Sequence, residues 1–251
     1  MNRAVTTALL LSLVGSATAK DKPKQPPQDT AKDAPITRQQ ADDILAELKQ
    51  IRQLLEGVIK PQAPPVPQTG KLNIEGSYTL GSADAPVTMV GFTDYQCPFC
   101  RQFENTTFAQ IRKQYIDTGK VRFVIHDFPL SNHPDAMPAA EAARCAGDQH
   151  KFWEMHDALF SEPAKLGKQA LIDSAGTLKL DVEAFRSCLD SGKHKQEIQN
   201  DLQVATSLQI QATPSFLIGK TKGDEVSGAI VVGAQPFSAF EQKIKEAEAA
   251  K

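Results

Sequence analysis

A strand–helix–strand order in the middle of the chain limits the choice of fold more than any other feature of the sequence. Residues 86–92 form a short apolar run, of the kind found in buried central strands. A helix is predicted from Pro98 to about Asp117, and residues 121–125 form a second, β-branched run. This order is typical of a βαβ unit with parallel strands and a right-handed crossover.

The sequence after this unit turns helical and then returns to strands. Apolar spacing predicts five helices, at residues 139–146, 152–160, 169–175, 182–189 and 198–208. Two further strands, at residues 215–218 and 229–232, are predicted to form a hairpin with a polar turn over residues 219–228. Residues 237–250 are predicted to form a last helix. The predicted fold class is α/β, with a helical block inserted at about residues 135–208.

The first 19 residues have the pattern of a signal peptide. Arg3 supplies a short positive region, and residues 4–14 are mostly apolar but shorter than the roughly 20 residues needed to cross a bilayer. Ala17-Thr18-Ala19 is a small-x-small cleavage pattern. The alternative, a buried N-terminal helix, is disfavoured by the disordered composition of the next residues. We therefore expect an exported, soluble protein, most simply a periplasmic one, where disulfides persist.

Four segments follow the predicted signal peptide. Residues 20–35 are rich in Lys, Asp, Pro and Gln and are interpreted as a disordered tether. Residues 36–60 are predicted to form an amphipathic helix, with Thr37 as a candidate cap. Residues 61–70 are a Pro-rich linker, and residues 71–251 have the length of one domain.

The predicted helix at residues 36–60 carries one apolar stripe. Its members alternate spacings of three and four: Ala41, Ile44, Leu48, Ile51, Leu55 and Val58. The stripe either packs on the chain's own domain or pairs with copies of itself. Because the Pro-rich linker is a stiff spacer, a homo-oligomer through this helix is the favoured alternative.

Charge and histidine spacing argue against two classes of function. The chain has 28 Lys and Arg against 30 Asp and Glu, so no basic excess is available to neutralise a nucleic-acid backbone. None of the five histidines pairs with a cysteine at the spacing of zinc ligands. The sequence predicts no metal site, no cofactor and no nucleic-acid partner.

Cys97-Pro98-Phe99-Cys100 is a C-x-x-C motif at the junction of a predicted strand and helix. Pro98 suits the first helical position, because its φ is already helical and its missing N–H has no partner there. Cys97 then caps the helix, where unpaired N–H groups and the helix dipole are expected to lower its pKa. Cys100, one turn further, is shielded and keeps a higher pKa. Thiol–disulfide exchange needs this asymmetry, since an exposed thiolate attacks or leaves and an inner thiol closes the ring.

Three other interpretations of the motif are weaker. A zinc site needs two more ligands, but Cys145 and Cys188 are single and far apart. A purely structural bridge between Cys97 and Cys100 closes too small a ring to restrain the unfolded chain. A chance C-x-x-C is disfavoured by its position on a βα turn.

The other two cysteines, Cys145 and Cys188, both fall in the predicted helical block. In an exported protein they most simply form one structural disulfide. This bridge closes a loop of about 44 residues, worth about 4 kcal/mol in the chain-entropy model. A second redox relay is the alternative.

The motifs together resemble those of the DsbA-like thiol–disulfide oxidoreductases of the thioredoxin superfamily. The resemblance runs from about Tyr78 to the C-terminus and is carried by Tyr78-Thr79-Leu80-Gly81, Asp84-Ala85-Pro86-Val87, Asp94-Tyr95-Gln96 with the C-x-x-C motif, Cys145-Ala146, Lys151-Phe152-Trp153, Thr213-Pro214-Ser215-Phe216 and Val232-Gly233-Ala234. It implies a thioredoxin fold with an inserted helical domain, and an enzyme whose catalytic, redox-active disulfide joins Cys97 and Cys100.

The resemblance also implies a substrate-binding turn at Thr213-Pro214. In the family this is a cis-proline turn that faces the active site, where a residue without an N–H leaves nearby backbone free to pair with an extended substrate chain. The alternative is a proline that opens an edge strand.

Two positions depart from the family pattern. Relatives often carry a buried carboxylate six residues before the first cysteine, whereas this chain has Gly91 there. Asp94 is nearer to the motif and is interpreted as a residue that shapes the turn. Phe99 stands where DsbA has a histidine that helps to stabilise the thiolate, so we expect a less oxidising pair than that of DsbA.

Three functions fit these residues. The first is a dithiol oxidase that passes its disulfide to unfolded or misoxidised exported proteins, with a DsbB-like membrane partner. The second is an oligomeric isomerase or reductase with a DsbD-like partner, for which the helix at residues 36–60 is the argument. The third is a non-enzymatic periplasmic chaperone or binding module that retains the fold.

Overall fold

The structure is a computed structural model that describes residues 36–58, 69–162 and 165–250. The predicted signal peptide and tether lie outside the described residues, as does the predicted linker except for Thr69 and Gly70. None of the helices within the described ranges is long and apolar enough to cross a membrane.

The chain divides into two units, residues 1–62 and residues 63–251, and the first contains helix α1, Arg38–Val58. A capping box begins this helix. The Thr37 hydroxyl accepts a hydrogen bond from the Gln40 N–H (3.2 Å), and Gln40 Oε1 accepts one from the Thr37 N–H (2.9 Å). Ile44, Leu48 and Ile51 of the apolar stripe are 49%, 54% and 51% exposed.

The second unit is built on one six-stranded sheet. Its strands are β1 (Thr69–Asn73), β2 (Tyr78–Leu80), β3 (Val87–Thr93), β4 (Val121–Asp127), β5 (Ser215–Lys222) and β6 (Glu225–Val232). They lie in the order β1-β6-β5-β3-β4-β2, and among the described pairings only β3 with β4 is parallel. Strand β1 begins two residues before the predicted domain start at Lys71.

The predicted βαβ unit is confirmed at the centre of the sheet. Strand β3 is buried along its whole length and pairs with β4 in register from Val87–Val121 to Thr93–Asp127. The connecting helical segment consists of α2 (Pro98–Phe103) and α3 (Ala109–Ile111), which alternate with π-helical turns at Glu104–Phe108 and Arg112–Ile116. It ends before Gly119, whose φ of +74° is accessible to glycine without strain.

The predicted hairpin is present, but the turn predicted over residues 219–228 is wrong. Strands β5 and β6 continue through most of that range, and only Gly223 and Asp224 separate them. Gly219 and Gly228 lie opposite each other, and a Cβ on Gly219 would lie 1.9 Å from the Ser227 carbonyl oxygen. These glycines permit close approach of the two backbones. Glycine is also typical of turns, so its presence here led to the incorrect prediction of a long turn.

The helical block lies between β4 and β5, as predicted. Its helices are α4 (Ala136–Gly147), α5 (Phe152–Ser161), α6 (Lys168–Thr177), α7 (Val182–Ser191) and α8 (Lys195–Ser207). Helix α9 (Phe237–Ala249) follows the hairpin. A disulfide between Cys145 and Cys188 joins α4 to α7.

Side chains of β3 alternate between two hydrophobic cores. Met89 lies in the larger core, which also contains the helical block and both cysteines of the C-x-x-C motif. Val90 and Phe92 lie in the smaller core, against α8. The C-x-x-C motif therefore follows directly after a strand whose two faces are both buried in hydrophobic cores.

Candidate active site

The C-x-x-C motif lies where the sequence predicts, at the start of a helix. Cys97 is the N-cap of α2, with extended backbone (φ −72°, ψ 122°), and Pro98 is the first helical residue. The Cys97 carbonyl accepts the first intrahelical hydrogen bond, from the Arg101 N–H at 3.1 Å. The side chain of Cys97 therefore meets the positive end of the helix.

Asp94 fixes the turn that precedes Cys97. Its Oδ1 accepts hydrogen bonds from the N–H groups of Gln96 (2.7 Å) and Cys97 (3.1 Å). Its Oδ2 accepts one from the Leu130 N–H (2.8 Å) and lies 2.8 Å from His133 Nδ1. With both oxygens in use, Asp94 ties the motif to the loop after β4, in agreement with the interpretation that it shapes the turn.

The two thiols of the motif have opposite electrostatic environments. The pKa of Cys97 falls to about 5, mainly because the Cys100 thiol donates to it, with further help from Thr213 and the N–H groups of Cys100 and Phe99, against the cost of burial. Burial raises the pKa of the Cys100 thiol far above its ordinary value, and the neighbouring Cys97 adds to that rise. The predicted asymmetry is present, but the inner thiol contributes more to it than the helix backbone does.

Cys97 is less accessible than the sequence suggests. It is 3% exposed and Cys100 is 0% exposed, whereas the adjacent Phe99 is 61% exposed. The prediction of an exposed thiolate is therefore wrong for this reduced state, in which both thiols are free. Phe99, between the two cysteines on the first turn of α2, is the exposed large apolar residue of the motif.

The Thr213–Pro214 peptide bond is cis and lies against Cys97. The Cys97 thiol donates to the Thr213 carbonyl over 3.5 Å. The Thr213 hydroxyl is buried without a hydrogen-bond partner in the described part of the chain, so it is available as a donor to the Cys97 thiolate. The structure therefore brings the C-x-x-C motif, Cys97 and Cys100, next to Thr213 and Pro214, which lie more than 110 positions later in the sequence.

Replacing Thr213 by valine should raise the pKa of Cys97. Valine keeps the shape of threonine but removes a hydroxyl donor to the thiolate, and one charge-assisted hydrogen bond corresponds to about 1 pKa unit. The titration of thiolate absorbance near 240 nm measures this shift directly. Thr206→Val on α8, whose hydroxyl donates to the Leu202 carbonyl, is the matched control and should leave the pKa of Cys97 unchanged. An unchanged titration in Thr213→Val would contradict the assigned contact.

No carboxylate occupies the position six residues before Cys97. Gly91 lies there in β3, and a Cβ on it would come within 3.2 Å of the Phe123 ring. A side chain at position 91 would therefore crowd the Phe123 ring.

One buried polar pair near the motif in sequence was not assigned from the sequence. The Tyr95 hydroxyl lies 3.1 Å from His156 Nδ1, and His156 Nε2 lies 3.7 Å from the Glu104 carboxylate. The sequence feature that could have identified His156 as buried is its helical spacing, which puts it on the same face of α5 as Phe152 and Phe160. The pair links the segment before Cys97 to the helical block.

The remaining cysteines lie in a polar cluster between α4 and α7. Cys145 and Cys188, joined as a disulfide, have their sulfur atoms within 4.8 Å of a ring nitrogen of His194. This is the one group of metal-ligand type found among the described residues. Because both sulfurs are held in the disulfide, neither is available as a thiolate ligand.

Comparisons with known proteins agree on one family. The Thioredoxin family model matches residues 73–230. Probable disulfide bond formation protein D of Bacillus anthracis is 32% identical over 148 residues, which cover 56% of this chain and 68% of that protein. The crystal structure of alpha-DsbA1 from Wolbachia pipientis superposes with a TM-score of 0.63 at 25% identity, covering 70% of this chain and 93% of that one.

A further relative is much longer than this chain. Na(+)/H(+) antiporter NhaA 3 of Salinispora tropica is 32% identical over 200 residues, which cover 78% of this chain. The same match covers 29% of the antiporter, so this chain spans less than a third of that protein.

Proposed function

Because the chain belongs to the DsbA-like group of the thioredoxin superfamily, we propose that it is an exported thiol–disulfide oxidoreductase that passes a Cys97–Cys100 disulfide to secreted proteins. The observation that carries this proposal is the pairing of a thiol of pKa about 5, at a helix start, with a buried thiol of raised pKa. Cys97 and Cys100 are its catalytic residues, and no metal or cofactor takes part.

The proposed reaction is two successive exchanges. A client thiolate attacks Cys97 Sγ of the disulfide, a client–Cys97 bond forms, and Cys100 leaves and takes up a proton. A second client thiolate then attacks the client sulfur of this mixed disulfide and expels Cys97 as a thiolate. The client is oxidised by two electrons and the motif is reduced by two. The low pKa of Cys97 favours the second exchange, because a thiol of low pKa is the better leaving group.

Thr213 and Pro214 are proposed to bind the client chain next to Cys97. They lie against the sulfur, and Pro214 has no N–H to compete for the client backbone. The exposed side chain of Phe99, two residues after Cys97, offers further apolar contact area to the client. A polypeptide in extended conformation therefore meets backbone acceptors and an aromatic surface together.

The reduction potential of the Cys97–Cys100 couple tests the direction of electron flow. A first-cysteine pKa of about 5 lies between the values of about 7 for thioredoxin and about 3.5 for DsbA. We therefore expect a potential between about −270 mV and −120 mV, less oxidising than DsbA. Equilibration with glutathione measures it, and oxidative refolding of reduced ribonuclease should proceed with the oxidised protein. A potential at the thioredoxin end with efficient rescue of scrambled ribonuclease would favour the isomerase or reductase instead.

The stability of the reduced protein should depend on pH through Cys97. Folding lowers the pKa of this thiol to about 5, so its contribution is fully present above the unfolded pKa of about 8.5 and is lost as the pH falls through 5. We expect the urea midpoint of the reduced protein to rise between about pH 5.5 and pH 8 relative to that of the reduced Cys97→Ala variant. Parallel profiles for the two proteins would contradict the lowered pKa.

An oligomeric isomerase is the second candidate, favoured by the exposed stripe of α1. Ile44, Leu48 and Ile51 expose about half of their surface on one helix face, and a second copy of this chain offers a matching stripe. We expect the full chain to sediment as an oligomer and Leu48→Glu to shift it towards the monomer mass. Gln50→Glu, which adds the same charge at an exposed site off the stripe, should leave the mass unchanged. A monomeric wild-type chain would remove this candidate.

The partners proposed for the oxidase are exported proteins with unpaired cysteines and a membrane protein that reoxidises Cys97 and Cys100. A DsbB-like oxidase serves this role, whereas the isomerase needs a DsbD-like reductant. The proposed location is the periplasm, in keeping with the signal-like first 19 residues.

A further inference from the structure

A cavity of about 420 Å³ lies in the helical block, lined by residues of α4, α6 and α7. This volume is within the range of small-ligand sites in proteins. Three of its lining residues are leucines: Leu166, Leu171 and Leu189. Leu166 and Leu171 are almost fully buried, so the accessible apolar contact for the stem of a long side chain comes mainly from Leu189.

Glu141 lines this cavity, and one oxygen of its carboxylate is unpaired among the described residues. It is 6% exposed, and its Oε1 is buried without a hydrogen-bond partner in the part of the chain that the structure describes. Burial raises the pKa of Glu141, while the more distant charges of Lys195 and His194 oppose that rise. His194 is already engaged, with Asp148 and Glu197. A buried carboxyl group left unpaired in this way is costly unless a ligand completes its hydrogen bonds.

The other charged residues of the cavity leave an excess of negative charge. Lys168 forms a 2.5 Å ion pair with Asp190, so these two charges cancel. Asp135 and Glu141 remain, and both line the cavity. A cationic group is therefore the complementary occupant, and a guanidinium can donate two hydrogen bonds to one carboxylate.

The cavity begins beside the C-x-x-C motif. Gln96, the residue before Cys97, accepts a hydrogen bond from the Asp135 N–H at 2.8 Å and donates one to Asp135 Oδ2 at 3.5 Å. From Asp135 to Glu141 the helix α4 advances about 9 Å. An extended chain covers that distance in about three residues. If a client cysteine is bonded to Cys97, the client side chain that enters the cavity is therefore expected about three to five residues away from that cysteine.

We propose that this cavity binds the arginine or lysine side chain of a client polypeptide whose cysteine, three to five residues away, reacts with Cys97. This assignment rests on the proposed function and adds a preference among clients. Leu189 contacts the methylene stem, and Glu141 with Asp135 receives the cationic head.

Competition between two peptides tests the proposal. The full chain carrying Cys100→Ala is first converted to the Cys97–glutathione mixed disulfide. Two peptides with one cysteine each then displace glutathione from Cys97, one with arginine and one with neutral citrulline at the same position, about three to five residues from the cysteine on either side. Mass spectrometry gives the ratio of the two peptide adducts at equilibrium.

We expect the arginine adduct to be favoured about tenfold at the best position, and Glu141→Gln to bring the ratio near one. Asp173→Asn is the matched control, because Asp173 lines a different cavity, and it should keep the preference. A ratio within about twofold at every position, or an undiminished ratio in Glu141→Gln, would overturn the cavity assignment while leaving the exchange role of Cys97 intact. If neither peptide forms an adduct, the proposed function fails and this inference falls with it.

Discussion

Replacement of Cys97 by serine is expected to lower the rate of insulin reduction by about 1,000-fold or more, to the level of the added dithiothreitol. Serine removes the sulfur whose pKa is about 5, and Cys100, which is fully buried, cannot reach a client disulfide in its place. The thiolate titration with a midpoint near pH 5 should disappear with the activity. The turbidity assay and the absorbance titration together measure both effects.

Cys100→Ser makes the same chemical change at the other end of the motif and serves as the control. It leaves Cys97 able to attack, but it removes the resolving thiol, so mixed disulfides with clients should accumulate instead of turning over. Cys97→Ser should form none. Undiminished activity in Cys97→Ser would contradict the oxidoreductase proposal and favour a non-enzymatic chaperone or binding module.

Removal of the Cys145–Cys188 bridge, by alanine at both positions, is expected to cost about 4 kcal/mol of unfolding free energy. The bridge joins α4 to α7 across a sequence separation of 43 residues, so its loss frees a long loop in the unfolded chain. Urea unfolding of the oxidised proteins measures the difference. The comparison is made in a Cys97→Ser, Cys100→Ser background, which prevents reshuffling among the four cysteines.

The same alanine pair, placed in the chain with an intact C-x-x-C motif, separates a structural bridge from a second redox relay. A structural bridge predicts full activity per folded molecule well below the unfolding midpoint. A relay predicts lost activity with little change in stability, and that result would contradict the structural assignment of Cys145 and Cys188.

Periodic apolar runs account for the parts of the fold that the sequence predicts. The strand at residues 86–92 and the five helices of the block each bury a continuous face, so their spacing is visible without the structure. Strands β1 and β2 are short edge strands. In β1 only Leu72 is buried and in β2 no residue is, so neither carries a period to detect.

The candidate site likewise contains residues that the sequence predicts and residues that only the folded structure identifies. Cys97, Pro98 and Cys100 act through local geometry at a helix start, which a four-residue motif specifies. Thr213 meets Cys97 only because β5 lies beside β3, and nothing in the local sequence encodes that contact apart from the family resemblance. Nothing in the local sequence singles out Glu141, which lies in an ordinary helical pattern. That its Oε1 is buried without a hydrogen-bond donor depends on which side chains the neighbouring helices place around it.

Buried charges were the least predictable part. Arg144 of α4 contacts Asp127 of β4 and both Glu197 and Asp201 of α8, with an Nε to Asp127 distance of 2.6 Å. Burial raises the pKa of Asp127 to about 6 even though Arg144 opposes that rise. Such a network needs β4, α4 and α8 in place before any of its members has a partner.

The near closure of the surface over Cys97 has a consequence for covalent chemistry. Ionisation makes this sulfur a strong nucleophile at neutral pH, yet only 3% of the residue can be touched from outside. The rate at which a reagent alkylates Cys97 is therefore expected to depend more on the size of the reagent than on the strength of its electrophile. We expect narrow electrophiles to alkylate this sulfur faster than bulky ones, a size preference that inhibitor design against such enzymes can use.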